Sequence, residues 1–241
     1  MKRAKVRLLK KEEITADVFL LTLSNPGMNV NPGQFVNVLC DEDTEYILRR
    51  PISVFYSDEE IFKLLVQVKG KATKSLAGRE KGAIIDVVGP LGRNFDIKED
   101  SVIVAGGMGV APLNFLAWRL NKAKVLVAAK TKDLLFNFSI PKRHEVLLAT
   151  DDGSQGFKGN AAELLKKELE KTKTNMIYAC GPEEMMMAAG KVAEEHNVRL
   201  QLSLERFMAC GTGVCLSCVR EMKSGLKRVC KDGPVFDYDE L

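Results

Sequence analysis

The sequence has few histidines and no long uncharged hydrophobic run. Its 241 residues include only His144 and His196, and neither is spaced with a carboxylate or a cysteine as a local catalytic or metal-binding pair would be. We expect both side chains to be solvated. No run reaches the roughly 18 apolar residues that a membrane-spanning helix requires. Residues 1–11 lack the apolar core of a signal peptide. A cytoplasmic protein without a helical membrane anchor is therefore predicted.

The net charge is also small. The chain carries 36 lysines and arginines against 32 aspartates and glutamates, which gives a formal net charge of +4. This excess suits cofactors that carry a diphosphate, but it is too weak to indicate a nucleic-acid partner. With 46% hydrophobic residues, the chain can bury one or two cores. Its 6 cysteines, without an export signal, indicate metal chemistry in a reducing compartment rather than disulfides.

Four cysteines near the end of the chain have the spacing of an iron–sulfur site. The candidate ligands are Cys210, Cys215, Cys218 and Cys230. The first three form C-x4-C-x2-C, which is the plant-type spacing for a 2Fe-2S cluster. Gly211 and Gly213 permit the tight curl that such a loop needs. A zinc knot and unligated thiols are the alternatives, but zinc sites usually pair two short cysteine units. The sequence therefore predicts a 2Fe-2S cluster.

The first part of the chain, residues 1–98, is predicted to form a β-barrel or sandwich. Short apolar runs recur between turn signals such as Asn31-Pro32-Gly33, a spacing typical of small all-β domains. The predicted strands are 18–23, 34–39, 52–55, 61–68 and 84–88.

Two stretches in this part carry chemical features. In the first, Arg50-Pro51-Ile52-Ser53, a cation and a hydroxyl flank a proline that cannot donate to a sheet, which marks an edge or an opening. The second, 68–74, is predicted to be a turn whose amides and Thr73 hydroxyl can hold a phosphate. Taken alone, each stretch is better explained as an ordinary barrel turn with surface charges.

From residue 99 the pattern changes to alternating strands and helices. The apolar runs are rich in β-branched residues and do not alternate, as in buried parallel strands. The predicted strands are 102–105, 125–129, 146–149, 176–180 and 198–204, and the predicted helices are 112–121, 134–138, 161–171 and 183–197. This succession predicts a doubly wound, five-stranded parallel sheet over residues 99–207, followed by a cluster-binding segment, 208–241.

Two glycine-containing turns follow strands of this sheet. In the first, Gly106, Gly107 and Gly109 precede a helix, as a dinucleotide-binding loop requires. This loop departs from the usual fingerprint, because Ala111-Pro112 stands where the third glycine would be. The second turn is Cys180-Gly181-Pro182. Open parallel sheets bind ligands beyond the carboxyl ends of their strands, so the two turns can face one nucleotide.

Taken together, these motifs resemble the ferredoxin–NADP reductase superfamily over nearly the whole chain. The resemblance implies that residues 1–98 bind FAD and residues 99–207 bind nicotinamide. Arg50 would contact the FAD diphosphate, with Pro51, Ile52 and Ser53 against the isoalloxazine. The further implied FAD contacts are Leu65, Val66, Gln67, Gly70, Ala72 and Thr73. Ala72 replaces a glycine that is usual in the superfamily.

The C-terminal cysteines are similar to those of a narrower family, the electron-transfer subunits of NAD-dependent dihydroorotate dehydrogenase. Arg49–Ser53, Thr150–Ser154 and the stretch from Cys210 to Phe236 carry this resemblance. It implies an FMN-containing dihydroorotate dehydrogenase partner, a heterotetramer of two copies of each subunit, and a role in pyrimidine biosynthesis. Electrons would pass from the partner through the cluster and FAD to NAD⁺. No catalytic acid or base is assigned, and dihydroorotate oxidation is expected only in the complex.

Two other functions are considered. One is the small subunit of an NADH-dependent ferredoxin:NADP oxidoreductase, in which an aspartate replaces the first cysteine; Cys210 favours the dehydrogenase family. The other is a cluster-bearing carrier or regulator that does not use nicotinamide. The residues themselves leave NAD and NADP undecided, because the tip of the second predicted parallel strand, Ala129 to Asp133, has lysines at 130 and 132. NAD is expected from the resemblance.

Overall fold

The computed structural model describes residues 1–40, 47–135 and 140–241, which form two compact units. The first consists of Met1–Asn94, Glu205–Glu221 and Gly225–Pro234, and the second of Phe95–Leu204, Met222–Ser224 and Val235–Leu241. The C-terminal residues are therefore shared between the two units. Among the described helices, none is both long and apolar enough to cross a membrane.

A closed barrel of six antiparallel strands forms most of the first unit. The strand order is β1-β2-β5-β4-β3-β6. The strands are β1 Lys2–Thr15, β2 Val18–Ser24, β3 Phe35–Leu39, β4 Arg50–Ser57, β5 Ile61–Gln67 and β6 Ile84–Leu91. The barrel prediction is confirmed, but strand β1 was missed. Only Val6 and Leu8 are buried in this strand. The charged residues around them leave too short an alternation of apolar and polar residues to predict a strand.

The segment predicted as a phosphate-binding turn is instead the start of a helix, α1, Lys71–Ala77. Its buried residues, Ala72, Leu76 and Ala77, lie on one face of a helix that is too short to give a clear periodicity. The Thr73 hydroxyl accepts the N–H groups of Lys69 at 3.0 Å and Gly70 at 3.2 Å. Thr73 therefore stabilises the entry into this helix.

A buried carboxylate joins three segments of the barrel. Asp86 on β6 accepts a hydrogen bond from Arg3 Nη2 on β1 at 2.6 Å. It also lies 2.9 Å from Arg49 Nη2, just before β4. Burial alone would raise the pKa of Asp86, but the hydrogen bonds and charges of the two arginines outweigh it and lower the pKa.

Replacing Asp86 by asparagine is expected to destabilise the chain by about 1–3 kcal/mol at neutral pH, since a charged hydrogen-bonding partner is lost. The folded carboxylate has a lower pKa than the unfolded one. Its contribution is therefore complete above about pH 4 and is lost as the pH falls further. Urea unfolding should show a constant difference between wild type and variant from neutral pH to about pH 5, and a shrinking difference below about pH 4. Glu80→Gln, which alters the exposed pair with Lys11, is the control and should change little. A pH-independent difference would contradict this role.

The second unit is built on a sheet with the strand order β10-β9-β8-β7-β11-β12-β15. The strands are β7 Ser101–Gly106, β8 Ala123–Ala129, β9 Glu145–Thr150, β10 Phe157–Lys158, β11 Met176–Cys180, β12 Leu200–Ser203 and β15 Val235–Asp237. The five predicted parallel strands are confirmed, and the sheet has two more. Strand β10 pairs in parallel with β9, and β15 pairs antiparallel with β12. A short hairpin, β13 Val219–Met222 and β14 Gly225–Arg228, forms a separate sheet.

Three helices of this unit follow the predicted pattern: α2 Val110–Arg119, α3 Ala161–Leu169 and α4 Glu183–Glu195. Asn160 caps α3 by accepting the N–H groups of Ala162 and Glu163. The predicted helix at 134–138 corresponds in part to a single 3-10 turn, Lys132–Leu134. The rest of that prediction, from residue 136, lies outside the described residues.

The prediction that His144 is solvated is wrong. Its side chain is 6% exposed. The Ala123 N–H donates to Nδ1 at 3.0 Å, so Nε2 carries the proton and donates to the Ala117 carbonyl at 2.7 Å. Burial lowers the pKa of His144, so it is a neutral residue that joins α2 to β8.

Candidate functional site

The loop that follows Cys210 directs backbone N–H groups at the Cys210 sulfur. The donors are Thr212, at 3.3 Å, and Cys215, at 3.5 Å. Gly211 and Gly213 have φ values of 67° and 86°, which an L side chain rarely adopts. Burial would raise the pKa of Cys210, but these hydrogen bonds lower it to about 5. The loop therefore stabilises a thiolate, the form that binds iron.

The other three cysteines complete the donor set. Cys218 and Cys230 are buried, and the Cys230 N–H donates to the Cys218 sulfur at 3.4 Å. Burial, together with the neighbouring Cys218 thiol, raises the pKa of Cys230 to about 12. Cys215 is exposed, with its sulfur 3.2 Å from the Ser217 hydroxyl. Bringing these thiols together as anions requires a positive metal centre between them.

An arginine–aspartate pair holds the turn that carries Cys230. Arg228 Nε donates to Asp232 Oδ2 at 2.9 Å, and the Arg228 backbone N–H donates to the same oxygen at 2.8 Å. Arg228 Nη1 also donates to the Gly213 carbonyl at 3.3 Å. The pair thus ties the Cys230 turn to the loop between the first two cysteines.

The donor set fits an iron–sulfur cluster. Within residues 1–40, 47–135 and 140–241, no three Cys, His, Asp or Glu side chains already stand as a metal-binding group. Iron–sulfur clusters are nevertheless bound by four cysteine thiolates, the ligand type present here. Backbone N–H groups that donate to the sulfurs tune the reduction potential of such a cluster. Cluster binding requires the thiols to close around the metal.

The predicted FAD-binding residues lie on β4, β5 and α1, which follow one another along the first unit. Arg50, Pro51, Ile52 and Ser53 are half-buried at the start of β4. Arg50 Nη1 donates to the Leu48 carbonyl at 2.6 Å. Whereas Arg49 is tied to Asp86, Arg50 has no carboxylate partner among the ion pairs of the described residues. Of these two arginines, Arg50 is therefore the one whose guanidinium can bind a diphosphate.

The predicted residues on β5 differ in exposure. Leu65 and Val66 are buried in the barrel, while Gln67 is half-buried and its Nε2 donates to Asp17 Oδ2 at 2.9 Å. Strand β5 pairs with β4 and leads to Gly70 and the first turn of α1. The first N–H groups of a helix have no partner within the helix, so they can bind phosphate.

The two turns of the second unit contact each other through their backbones. Strands β7 and β11 are neighbours, with Ala105 opposite Cys180. A Cβ at Gly109 would overlap the Cys180 carbonyl group, and a Cβ at Gly181 would lie 2.8 Å from the Gly106 carbonyl oxygen. The order of the parallel strands reverses between β7 and β11, the position where open sheets bind nucleotides.

The other predicted residues of these turns have different surroundings. Gly107, with a φ of 52°, has open space where a Cβ would lie. Ala111 and Pro112 are buried in α2, and Pro182 is exposed at the start of α4. Gly107 therefore offers exposed backbone to a ligand, whereas Gly106, Ala111 and Pro112 are packed inside the unit.

Sequence reasoning missed one polar residue beside the cluster loop. Asn37 is 2% exposed on β3, and its Nδ2 donates to the Cys210 carbonyl at 2.9 Å. Its signal in the sequence is a single amide within the apolar run Phe35–Leu39. That run alone does not reveal a partner 173 positions away.

Comparisons with known proteins match both the barrel and the C-terminal cysteine segment. Residues 5–95 match the model of an oxidoreductase FAD-binding domain. Residues 205–241 match the iron–sulfur cluster binding domain of dihydroorotate dehydrogenase B. A dihydroorotate dehydrogenase B (NAD(+)) electron transfer subunit from Caldanaerobacter subterraneus is 37% identical, over 99% of this chain and 98% of that protein. The chain belongs to the family of dihydroorotate dehydrogenase B electron-transfer subunits.

A second member of this family and two solved structures are also similar to this chain. The Clostridium acetobutylicum subunit is 39% identical over 95% of this chain and 94% of its own length. A chain from a structure of the NADH-dependent reduced ferredoxin-NADP oxidoreductase superposes with a TM-score of 0.87 at 32% identity, covering 98% of this chain and 89% of that one. The human Ncb5or CS-b5R domains share the fold, with a TM-score of 0.68 at 22% identity, over 81% of this chain and 67% of theirs.

Replacing Gly109 by alanine tests the role of the paired turns. The added methyl would overlap the Cys180 backbone, which cannot move as a side chain can. Forcing the two turns apart displaces the proposed nucleotide contacts, so NADH affinity should fall about tenfold or more, where each tenfold loss is about 1.4 kcal/mol of binding free energy. Calorimetric titration with NADH measures this. Gly78→Ala is the matched control, because Gly78 has a φ of −74° and a Cβ there would meet no atom closer than 3.4 Å. Equal NADH affinity in wild type and Gly109→Ala would contradict the assignment.

Proposed function

We propose that this chain is the subunit that carries electrons from an FMN-containing dihydroorotate dehydrogenase to NAD⁺, in pyrimidine biosynthesis. Dihydroorotate supplies two electrons to the partner, and NAD⁺ accepts two electrons and a proton as a hydride. The 2Fe-2S cluster and FAD of this chain connect the two ends. The observation that carries the proposal is the thiolate-stabilising Cys210 loop, with its three companion cysteines, in one compact unit with a flavin-type barrel.

The residues of this chain would bind and position its cofactors. When bound, FAD exchanges electrons singly or in pairs, which lets a one-electron cluster serve a two-electron nicotinamide. Arg50 binds the diphosphate, and Pro51, Ile52 and Ser53 hold the isoalloxazine. The further contacts proposed for FAD come from Leu65, Val66, Gln67, Gly70, Ala72 and Thr73. Those proposed for NAD come from Gly106, Gly107, Gly109, Ala111, Pro112, Cys180, Gly181 and Pro182. Cys210, Cys215, Cys218 and Cys230 ligate the cluster.

The partner is proposed to be a separate polypeptide. An FMN-bearing dehydrogenase barrel needs about 250 residues, and the barrel, sheet and cysteine segment of this chain already have their own roles. We propose a heterotetramer with two copies of each subunit. The cytoplasm is the proposed location, because four free thiolate ligands require a reducing compartment.

A second candidate is the flavin and iron–sulfur subunit of an NADH-dependent ferredoxin:NADP oxidoreductase. The similarity of this chain to a chain of such an enzyme, at a TM-score of 0.87, is the observation that favours it. The cysteine at position 210 supports the dehydrogenase instead. A cluster-bearing carrier without nicotinamide chemistry is disfavoured by the paired glycine turns of the second unit.

Purification of the native complex tests these alternatives. We expect an FMN-containing dehydrogenase to copurify, and the isolated chain to contain iron, sulfide and FAD. The isolated chain should also reduce an artificial dye with NADH. Copurification of a ferredoxin:NADP oxidoreductase subunit would favour the second candidate. Absence of both flavin and cluster from anaerobically purified protein would contradict both.

Replacing Arg50 by alanine is expected to weaken FAD binding about tenfold to hundredfold, because a charge-assisted contact contributes about 1.5–3 kcal/mol. Flavin retention after dilution and desalting, followed by titration of the apoprotein with FAD, measures the loss. Arg7→Ala is a suitable control, since Arg7 is an exposed barrel arginine whose Nη1 donates to the Gly82 carbonyl at 3.4 Å. Unchanged FAD affinity in Arg50→Ala would show that the diphosphate lies elsewhere.

A further inference from the structure

A single side chain connects the cluster loop to the strand proposed to hold the flavin. Asn37 lies on β3, directly opposite Pro51 of β4. Residues opposite each other in an antiparallel pair point to the same face of the sheet. On that face, Asn37 Nδ2 donates to the Cys210 carbonyl oxygen at 2.9 Å. One hydrogen bond and one strand pairing therefore separate the first cluster ligand from Pro51.

The cluster loop is also packed directly against this side chain. A Cβ at Gly211 would overlap Nδ2 of Asn37 and lie 2.9 Å from its Cγ. Gly211 has a φ of 67°, so the loop turns sharply at the point where it contacts the carboxamide. Asn37 thus supports the loop both through its hydrogen bond and through its volume.

The other polar atom of Asn37 argues against a role in barrel stability alone. Its Oδ1 is buried, and no hydrogen-bond donor reaches it among the described residues. A buried acceptor without a partner costs about 1–3 kcal/mol, whereas an apolar side chain of the same shape avoids that cost. An amide at this position therefore makes the barrel less stable than an apolar side chain of the same shape would. What it provides is the contact with Cys210.

We propose that Asn37 is a positioning residue for electron transfer, which fixes the Cys210 loop against the flavin-binding strand and so sets the spacing between the cluster and FAD. The proposal rests on the proposed function. In the step concerned, one electron leaves reduced FAD and reduces one ferric iron of the cluster. No proton or leaving group is required at Asn37. Asn37 touches neither reacting group; it acts through Cys210 on one side and Pro51 on the other.

Two variants separate positioning from folding. Asn37→Leu removes the donor to Cys210 and also the buried unpaired oxygen, so barrel stability should be kept. Asn37→Asp retains the shape but faces the Cys210 carbonyl with an acceptor. Asn25→Asp is the matched control, because Asn25 donates to the Met28 and Asp58 carbonyls and has no contact with the cluster loop.

The test is anaerobic rapid mixing of each holoprotein with NADH, followed at flavin and cluster wavelengths. Both Asn37 variants should keep their FAD, iron and sulfide, and should reduce FAD at the wild-type rate. Reduction of the cluster should then slow about tenfold, which lies within the up to hundredfold cost of a roughly 1 Å misplacement. Amide hydrogen exchange at residues 211–213 should become faster in the same variants.

Three other results would overturn the inference, and a fourth would contradict the proposed function instead. Cluster reduction at the wild-type rate in both Asn37 variants would overturn the inference. Loss of FAD or of the cluster from both variants would also overturn it, because Asn37 would then serve only structure. Equal slowing of cluster reduction in Asn25→Asp would overturn it as well. Failure of NADH to reduce the cluster in wild-type protein that holds both cofactors would instead contradict the proposed function.

Discussion

Replacing Cys215 by serine is expected to remove the iron–sulfur absorption while FAD remains bound. Cys215 is the exposed member of the four cysteines, and its N–H also donates to the Cys210 sulfur. Loss of one thiolate from a four-thiolate site leaves the cluster without full ligation. The proposed FAD contacts lie on β4, β5 and α1, on other segments of the chain. Iron and sulfide analysis, together with the visible spectrum, measures the outcome.

The same change at Cys40 provides the control for this experiment. Cys40 is a buried cysteine directly after β3, outside the C-terminal segment. Cys40→Ser should keep iron, sulfide and FAD at wild-type levels. Retention of the cluster in Cys215→Ser would show that the ligand set is different. Equal loss of iron in both variants would indicate general damage to the fold.

Much of the fold is predictable from local pattern. Turn signals separate the barrel strands, and β-branched runs mark the five parallel strands, of which β7, β11 and β12 are buried on both faces. The two added strands are short and gain their pairing from tertiary contact: β10 has two residues and β15 has three. Strand β1 was missed because only one of its faces is buried, and α1 because seven residues give barely two turns.

The candidate site is predictable where spacing along the chain determines chemistry. The cysteine spacing and the two glycine turns are of this kind. Asn37 and the Arg228–Asp232 pair are not, since their roles depend on which strand or turn they meet in space. Thr73 is predicted from its residue type to contact phosphate, but the sequence alone does not reveal that its hydroxyl also accepts the Lys69 and Gly70 N–H groups at the start of α1.

Addition of a dehydrogenase partner is expected to convert this chain from an NADH-dependent dye reductase into part of a dihydroorotate:NAD⁺ oxidoreductase. Alone, the chain should not oxidise dihydroorotate, because the barrel and the sheet formed by the described residues are already assigned to FAD and nicotinamide. The Cys215→Ser protein should keep much of its dye activity, since that reaction needs only FAD and nicotinamide. It should lose nearly all coupling to the partner, because the cluster is the proposed bridge between the subunits.

The most direct measurement is anaerobic NADH formation from dihydroorotate and NAD⁺ by the reconstituted pair of subunits. The account predicts NADH formation when wild-type chain and partner are both present. It predicts none with either subunit alone and almost none with Cys215→Ser. Cys40→Ser should couple as wild type does. Dihydroorotate turnover by this chain alone, or full coupling with a cluster-free variant, would contradict the proposed electron path.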